Sequence, residues 1–340
     1  MEAYFEQELQ KTIASIHELD KEHCLIFPIL ADVHAHPERP EFMLRYEHTI
    51  ELLKEVNRQC RIDAQFFLGD MLTIMKSTPG SFWTEERRVW ALELLRKDFL
   101  SCNENSFFVA GNHDGVGAIP PKQEEWYREM IDPKKVHGVE NRGYFYVDFP
   151  QQKVRAVCLM DTQQIAGEEY EGYLPDQLQW LADTALQIPA GYRVLVFAHV
   201  ILWDRRRQTQ QNCEDLIGIF RAFQNREKYE GNVVCADFTE RNDGAICALF
   251  GGHDHVQWAG YACDIPFLQI ETPSNMLHHP QNGSWSLPEG FVPVQRKMYE
   301  ETEVLFDTVV FDTKNDRIHV IRFGSGEDAT YELKKAKENL

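Results

Sequence analysis

Short apolar runs recur along the chain, separated by stretches whose apolar residues fall at helical spacing. Cys24–Ala31 is apolar and rich in β-formers, which predicts a buried strand. Leu44–Val56 follows with Tyr46, Ile50, Leu53 and Val56 on one helical face. Ala64–Leu68 predicts the next strand. Glu85–Leu100 predicts a helix directing Val89, Leu92 and Phe99 to the core, and Ser106–Ala110 a third strand. Gly143–Phe149 and Lys153–Met160 read as neighbouring strands joined by a Pro-containing turn. Pro175–Leu186 reads as a helix with Leu178, Leu181 and Leu186 on one side. Arg193–Ala198, Ala245–Phe250 and Phe267–Ile270 are further strands. Leu305–Phe311 and Arg317–Phe323 suit a hairpin turning through Thr313–Asp316. The first half therefore reads as βαβ units and the second as β-richer. Met1–Asp20 is a polar, amphipathic helix rather than a signal peptide.

No stretch resembles a linker, an internal repeat or a low-complexity tract. The expectation is one domain over residues 1–340, with two packed sheets and outer helices. Residues 24–260 would form its core. Residues 265–340 would add C-terminal strands and a loop, Glu271–Gln295, that shapes a substrate pocket.

Charge narrows the partners. Lys and Arg number 35 and Asp and Glu 54, a formal net charge of −19. An acidic surface repels polyphosphate backbones, so broad nucleic-acid binding is not expected. The longest apolar runs fall short of the ~18 residues that a membrane span needs. Eight scattered cysteines form no Cys-x-x-Cys pair, which fits reduced thiols in a cytoplasmic protein. Oligomeric state is not readable.

The chemistry lies where the apolar runs stop. Phe27–Ala31 leads into Asp32-Val33-His34, and Phe66–Leu68 into Gly69-Asp70. Phe107–Ala110 leads into Gly111-Asn112-His113-Asp114, Val194–Ala198 into His199, and Ala248–Gly251 into Gly252-His253-Asp254-His255. Carboxyl ends of strands are where ligand sites form. Each motif alone is ordinary: an Asp after a strand is usually a turn or cap residue. Together they supply Asp, His and Asn side chains suited to two divalent cations, about 3.5–4 Å apart when they act jointly on phosphorus.

In this order the motifs resemble the calcineurin-like metallophosphoesterase superfamily, whose pattern is Asp-x-His, Gly-Asp, Gly-Asn-His-(Asp/Glu), His and Gly-His-x-His. The resemblance implies an α/β (α+β) four-layer αββα sandwich of two mixed sheets flanked by helices. It implies one cation held by Asp32, His34, Asp70 and His255, and a second held by Asp70, Asn112, His199 and His253, with Asp70 shared. Oxygen and imidazole ligands suit manganese, iron or zinc. The implied reaction is attack by a metal-bridged hydroxide on a small phosphorylated substrate. His113 would be the catalytic residue that does not bind metal; its alternative role is to stabilise the turn.

Departures narrow the branch. Ala35 follows His34 where protein phosphatases carry Gly. Thr73-Ile74 stand where those enzymes have Asp-Arg, and Thr73 replaces the tyrosine of purple acid phosphatases. A phosphodiesterase is therefore favoured by exclusion, with a phosphomonoesterase as the alternative. Arg205 and Arg206 (with Arg207) could grip a phosphate or lie on a solvated loop. His278 (with His279) could approach the site from the long loop. Trp258 and Tyr261 suit a strand and core packing.

Two other classes compete. His34-Ala35-His36 is the doublet that opens the metal site of TIM-barrel amidohydrolases. That reading leaves Gly69-Asp70, Gly111–Asp114 and His255 idle, and it needs eight βα units. A non-catalytic scaffold on the phosphoesterase fold would be expected to have lost a ligand or His113, and in this chain all are present.

Overall fold

The computed structural model describes residues 1–36, 39–71, 85–115, 130–139, 142–165, 168–200, 210–241, 243–262, 264–270 and 296–333. Side chains of residues 85–89, 91–92, 115, 163–170, 258, 262 and 269 are outside the description. Thr73, Ile74, Arg205, Arg206, Arg207, His278, His279 and the Glu271–Gln295 loop therefore lie outside the described residues, as do the side chains of Val89, Leu92 and Trp258.

Two mixed sheets form the centre. The first contains β1 (Cys24–Leu30), β2 (Gln65–Phe67), β3 (Ser106–Phe108), β15 (Phe306–Asp312), β16 (Arg317–Phe323) and β17 (Ala329–Glu332). Its order is β17-β16-β15-β1-β2-β3. β1, β2 and β3 run parallel, and β15 joins β1 antiparallel in the register Cys24↔Asp312 to Ile29↔Asp307.

The second sheet contains β4 (His137–Gly138), β5 (Phe145–Phe149), β6 (Val154–Cys158), β9 (Arg193–Phe197), β12 (Ala245–Gly251), β13 (Trp258–Ala262) and β14 (Ile265–Gln269). Its order is β13-β14-β12-β9-β6-β5-β4, with β6, β9, β12 and β14 mutually parallel. Two small hairpins, β7–β8 (Thr162–Ile165, Glu168–Glu171) and β10–β11 (Lys228–Glu230, Cys235–Asp237), stand outside the sheets. A TIM barrel is excluded, and with it the amidohydrolase alternative.

Strand alternation explains the layers. Leu25, Phe27 and Ile29 of β1 turn to the space between the sheets and meet Leu195, Phe197, Ala248 and Phe250. Cys24, Ile26 and Leu30 turn outward onto α1 (Glu6–Leu19), α2 (Pro40–Gln59) and α3 (Glu85–Cys102). These helices present Leu9, Ile13 and Ile16; Tyr46, Ile50, Leu53 and Val56; and Leu95 and Phe99. Between β3 and β4 comes the single turn α4 (Asn112–Gly115). Helices α5 (Pro175–Trp180) and α6 (Cys213–Asn225) cover the far face of the second sheet, against Val194, Val196 and Ile246. The result is an αββα sandwich. No helix among the described residues is long and apolar enough to cross a membrane.

Three elements differ from the sequence expectation. The helix expected over 175–186 gives way to a π turn at Leu181–Ala185, although Leu178, Leu181 and Leu186 are buried as expected. Helix α6 was not anticipated. Its start carries no capping side chain and instead begins at Asn212 in a left-handed conformation. Trp258–Ala262 is a strand, but Tyr261 is exposed rather than packed in the core, because β13 lies at the sheet edge.

Candidate metal centre

Six of the seven predicted ligands follow strand ends at one edge of the sandwich; the seventh, Asn112, opens α4 just beyond β3. Their turns are stitched to one another by backbone hydrogen bonds. Asp32 N–H donates to Gly69 O, His34 N–H to Asp70 O, and Gly252 N–H to His199 O, at 2.8–3.0 Å. Five ligand residues adopt left-handed backbone: Asp32 (φ 54°), His34 (49°), Asp70 (53°), His253 (75°) and His255 (57°). Asp and His tolerate this region better than most residues, yet each such position costs about 1–3 kcal/mol. The cost is offset by the stitched turns and the packed strands beneath them.

Two glycines are required by contact. Gly69 has φ +91°, and a Cβ there would come within 2.5 Å of Gly111 N and 2.8 Å of His199 Nδ1. A Cβ on Gly252 would meet Asp32 Oδ2 at 2.6 Å. Side chains at either position would push the turns apart.

Below the turns, four rings cross the interface between the sheets. Phe66 stacks on Phe197 with centroids 4.1 Å apart, and Phe197 on Phe250 at 5.1 Å. Phe27 meets all three edge-on, at 5.2–5.9 Å. Each ring lies two to five residues before a ligand, so the aromatic cluster ties the four ligand-bearing strands together.

The ligand atoms form two groups. Asp32, His34, Asp70 and His255 converge in one, and Asp70, His199 and His253 in the other. In the first, His34 Nε2 and His255 Nε2 are 2.9 Å apart, and Asp32 Oδ1 lies 3.3 Å from His255 Nε2. In the second, Asn112 Oδ1 lies 3.0 Å from His199 Nε2 and 2.9 Å from His253 Nδ1, and those nitrogens are 3.2 Å apart. Asp70 Oδ2 lies 3.9 Å from His34 Nε2 and 3.3 Å from His199 Nε2. Metal–ligand bonds of about 2.0–2.2 Å set neighbouring ligand atoms about 3.0–3.5 Å apart, so these separations fit a shared cation in each group.

The donor chemistry also fits. His199 Nδ1 donates to Leu68 O at 2.6 Å, which leaves Nε2 to face the centre. Nε2 there meets Asp70 and Asn112 oxygens, which are acceptors. Burial disfavours charge on His199, but the Asp70 carboxylate outweighs it and holds the imidazole well above its ordinary value. Burial, reinforced by His255, pushes His34 well below the ordinary value and leaves a neutral imidazole. Burial pushes Asp70 up, but His199, His113 and His34 outweigh it and keep the carboxylate ionised. The ionised Asp70 carboxylate, the neutral His34 imidazole and Asn112 Oδ1 thus turn lone pairs toward the two groups.

His113 stands differently. Its side chain keeps 18% exposure where those of His34 and His199 have none. Its ring lies 5.0 Å from that of His34, and its Nε2 3.8 Å from Asp70 Oδ2. Its backbone N–H donates to Asp70 Oδ1 at 2.7 Å, which anchors the backbone that carries the ring.

Two buried aspartates beside the ligand turns, Asp114 and Asp161, were not assigned a role from sequence. Asp114 accepts N–H groups of Asp70, Met71 and Gly111 at 2.7–2.9 Å and so locks two ligand turns together. Burial and the Asp70 carboxylate push it up to about 7, against those donors. Asp161, beyond β6, accepts the N–H of Val200, the residue after His199, at 2.6 Å. Burial pushes it up to about 7 as well. The position of Asp114 inside Gly111–Asp114 was a signal for its role; Asp161 belongs to no motif. A further close group, His23, Cys24 and Asp312, lies at the opposite end of β1. There Asp312 already caps the β15–β16 turn through Lys314 and Asn315 N–H.

The calcineurin-like phosphoesterase profile matches residues 27–257, more than half of the chain and the whole span of these motifs. The chain belongs to the calcineurin-like phosphoesterase family. No curated protein matches it. Among solved structures it is similar to a candidate 5′-nucleotidase from Staphylococcus aureus, with 14% identity, 91% of this chain and 54% of that one covered, and a TM-score of 0.48. It is similar to GAP50, the anchor in the inner membrane complex of Plasmodium, with 12% identity, 91% and 88% coverage and a TM-score of 0.47. It is also similar to the phosphopantetheinyl hydrolase of Mycobacterium tuberculosis, with 13% identity, 74% and 92% coverage and a TM-score of 0.39. All three are distant likenesses.

Proposed function

We propose that this member of the family is a two-cation phosphoester hydrolase acting on a small phosphorylated substrate, a diester in preference to a monoester. The observation that carries the reading is the place of Asp70. One carboxylate oxygen faces His34 of the first group and His199 of the second, while the other oxygen accepts the His113 N–H. Asp32, His34, Asp70 and His255 would hold one cation, and Asp70, Asn112, His199 and His253 the other. Manganese, iron and zinc all suit this donor set. When bound, such a pair supplies Lewis acidity, which acidifies water and neutralises phosphoryl oxygens.

The chain's own residues do the remainder. Asp70 sets the spacing of the two positions. The buried His and Asp side chains exclude bulk water from the floor of the site, where charge interactions are stronger. His113, at the mouth, is placed to hydrogen-bond a phosphoryl oxygen or give its proton to the departing oxygen. The diester preference rests on Ala35 and Thr73-Ile74, which replace protein-phosphatase signature residues. The free thiols, Cys24, Cys158 and Cys213 buried among them, support placement in the reducing cytoplasm.

The test uses metal-stripped protein restored with manganese, zinc or iron in turn. Bis(p-nitrophenyl) phosphate and p-nitrophenyl phosphate report diester and monoester cleavage. Metal-dependent cleavage, faster on the diester, is expected. Faster monoester cleavage would overturn the diester preference alone. Two bound cations without turnover on a wider panel of phosphoesters would overturn the enzyme reading.

A further inference from the structure

Charge around the two ligand groups is uneven. A pair of divalent cations brings four positive charges, and the seven side chains answer with two carboxylates, Asp32 and Asp70. The first group contains both. The second has only the shared Asp70, beside Asn112, His199 and His253, none of which carries negative charge.

Asp161 lies on this poorer side. It follows β6, whose Cys158 pairs with Phe197 of β9, two residues before His199. It is fully buried. Its Oδ2 clamps the Val200 N–H, and its own carbonyl accepts the Gly172 N–H at 2.8 Å. Its Oδ1 is buried and has no hydrogen-bond partner among the described residues. A neutral acceptor would serve one N–H equally well. With one oxygen buried and unmatched among the described residues, Asp161 is a carboxylate only above the value of about 7 to which burial pushes it, and in that form it carries a desolvation cost that folding alone does not require.

We propose that Asp161 is a positioning residue for the second cation position: it holds the His199–Val200 turn and supplies the negative charge which that position lacks. The inference rests on the two-cation reading above. Asp114 does not fill the same need, because its two oxygens are taken up by three backbone donors. Groups just outside a metal's ligands commonly set its affinity by about 10- to 100-fold.

The test is Asp161→Asn, which keeps an acceptor for Val200 N–H and removes the charge. Asp161→Ser is a second neutral variant should the first fold poorly. Stripped wild type and variant are titrated with Mn(II) against a competing chelator at pH 8, and both are melted with and without metal. The weaker of the two binding steps should loosen about 10- to 100-fold while the tighter step changes little. The stripped variant should melt at or above the wild-type temperature, since an unmatched buried charge is gone, and the loaded variant below it. A merely structural role predicts equal losses with and without metal. Wild-type affinity at both steps in Asp161→Asn would overturn the proposal. Wild type that takes up fewer than two cations would overturn the two-cation reading itself, and the role of Asp161 with it.

Discussion

The site is made by side chains that serve two ends at once. Asp32, Asp70, His34, His253 and His255 are candidate ligands and also occupy left-handed backbone. Their side chains meet in two groups at the strand ends. Gly69 and Gly252 let the turns approach, and Asp114 fastens two of them. His113 shares the motif of Asn112, but its side chain keeps 18% exposure, and on the proposed reading it meets the substrate rather than a cation. His113→Ala should therefore lower kcat by about a hundred- to ten-thousand-fold. The metal content, read by inductively coupled plasma mass spectrometry, should stay at the wild-type value. Metal loss in step with activity would make His113 a cation ligand rather than a group that meets the substrate.

At the scale of elements, the ligand-bearing turns are only as well placed as the strands beneath them. Phe27, Phe66, Phe197 and Phe250 lock β1, β2, β9 and β12 across the interface between sheets. Phe197 is fully buried and touches the other three. Phe197→Ala should cost about 3–5 kcal/mol in chemical denaturation, and a loss under about 1 kcal/mol would show that the rings are not the clamp. These strands were legible because each is a short apolar run that stops at a polar ligand residue. Helices α2 and α3 were legible from periodicity, although α2 starts earlier than its apolar stripe, at Pro40. Helix α6 carried the same signal in Leu216, Ile217, Phe220 and Phe223, but its unconventional start hid it. The β7–β8 and β10–β11 hairpins were not legible, since Glu168–Glu171 and Lys228–Glu230 lack apolar alternation. The convergence of the candidate ligands was legible as an ordered set of motifs. Asp161 was not, because its role arises only when β6 and β9 lie side by side.

At the scale of the whole molecule, an αββα sandwich gathers five sequence-distant turns on one edge. The chain is acidic overall, at −19, and inside that edge the Asp70 carboxylate outweighs burial and holds His199 well above its ordinary value. A centre built for positive charge within an acidic protein suits cations that in turn receive an anionic substrate. The direct measurement is an anomalous-scattering map from crystals of the protein loaded with manganese. Two peaks about 3.5–4 Å apart are expected, one beside His34 and His255, the other beside His199 and His253, with Asp70 between them. A single peak, or two peaks that do not share Asp70, would rule out a paired centre joined by that carboxylate.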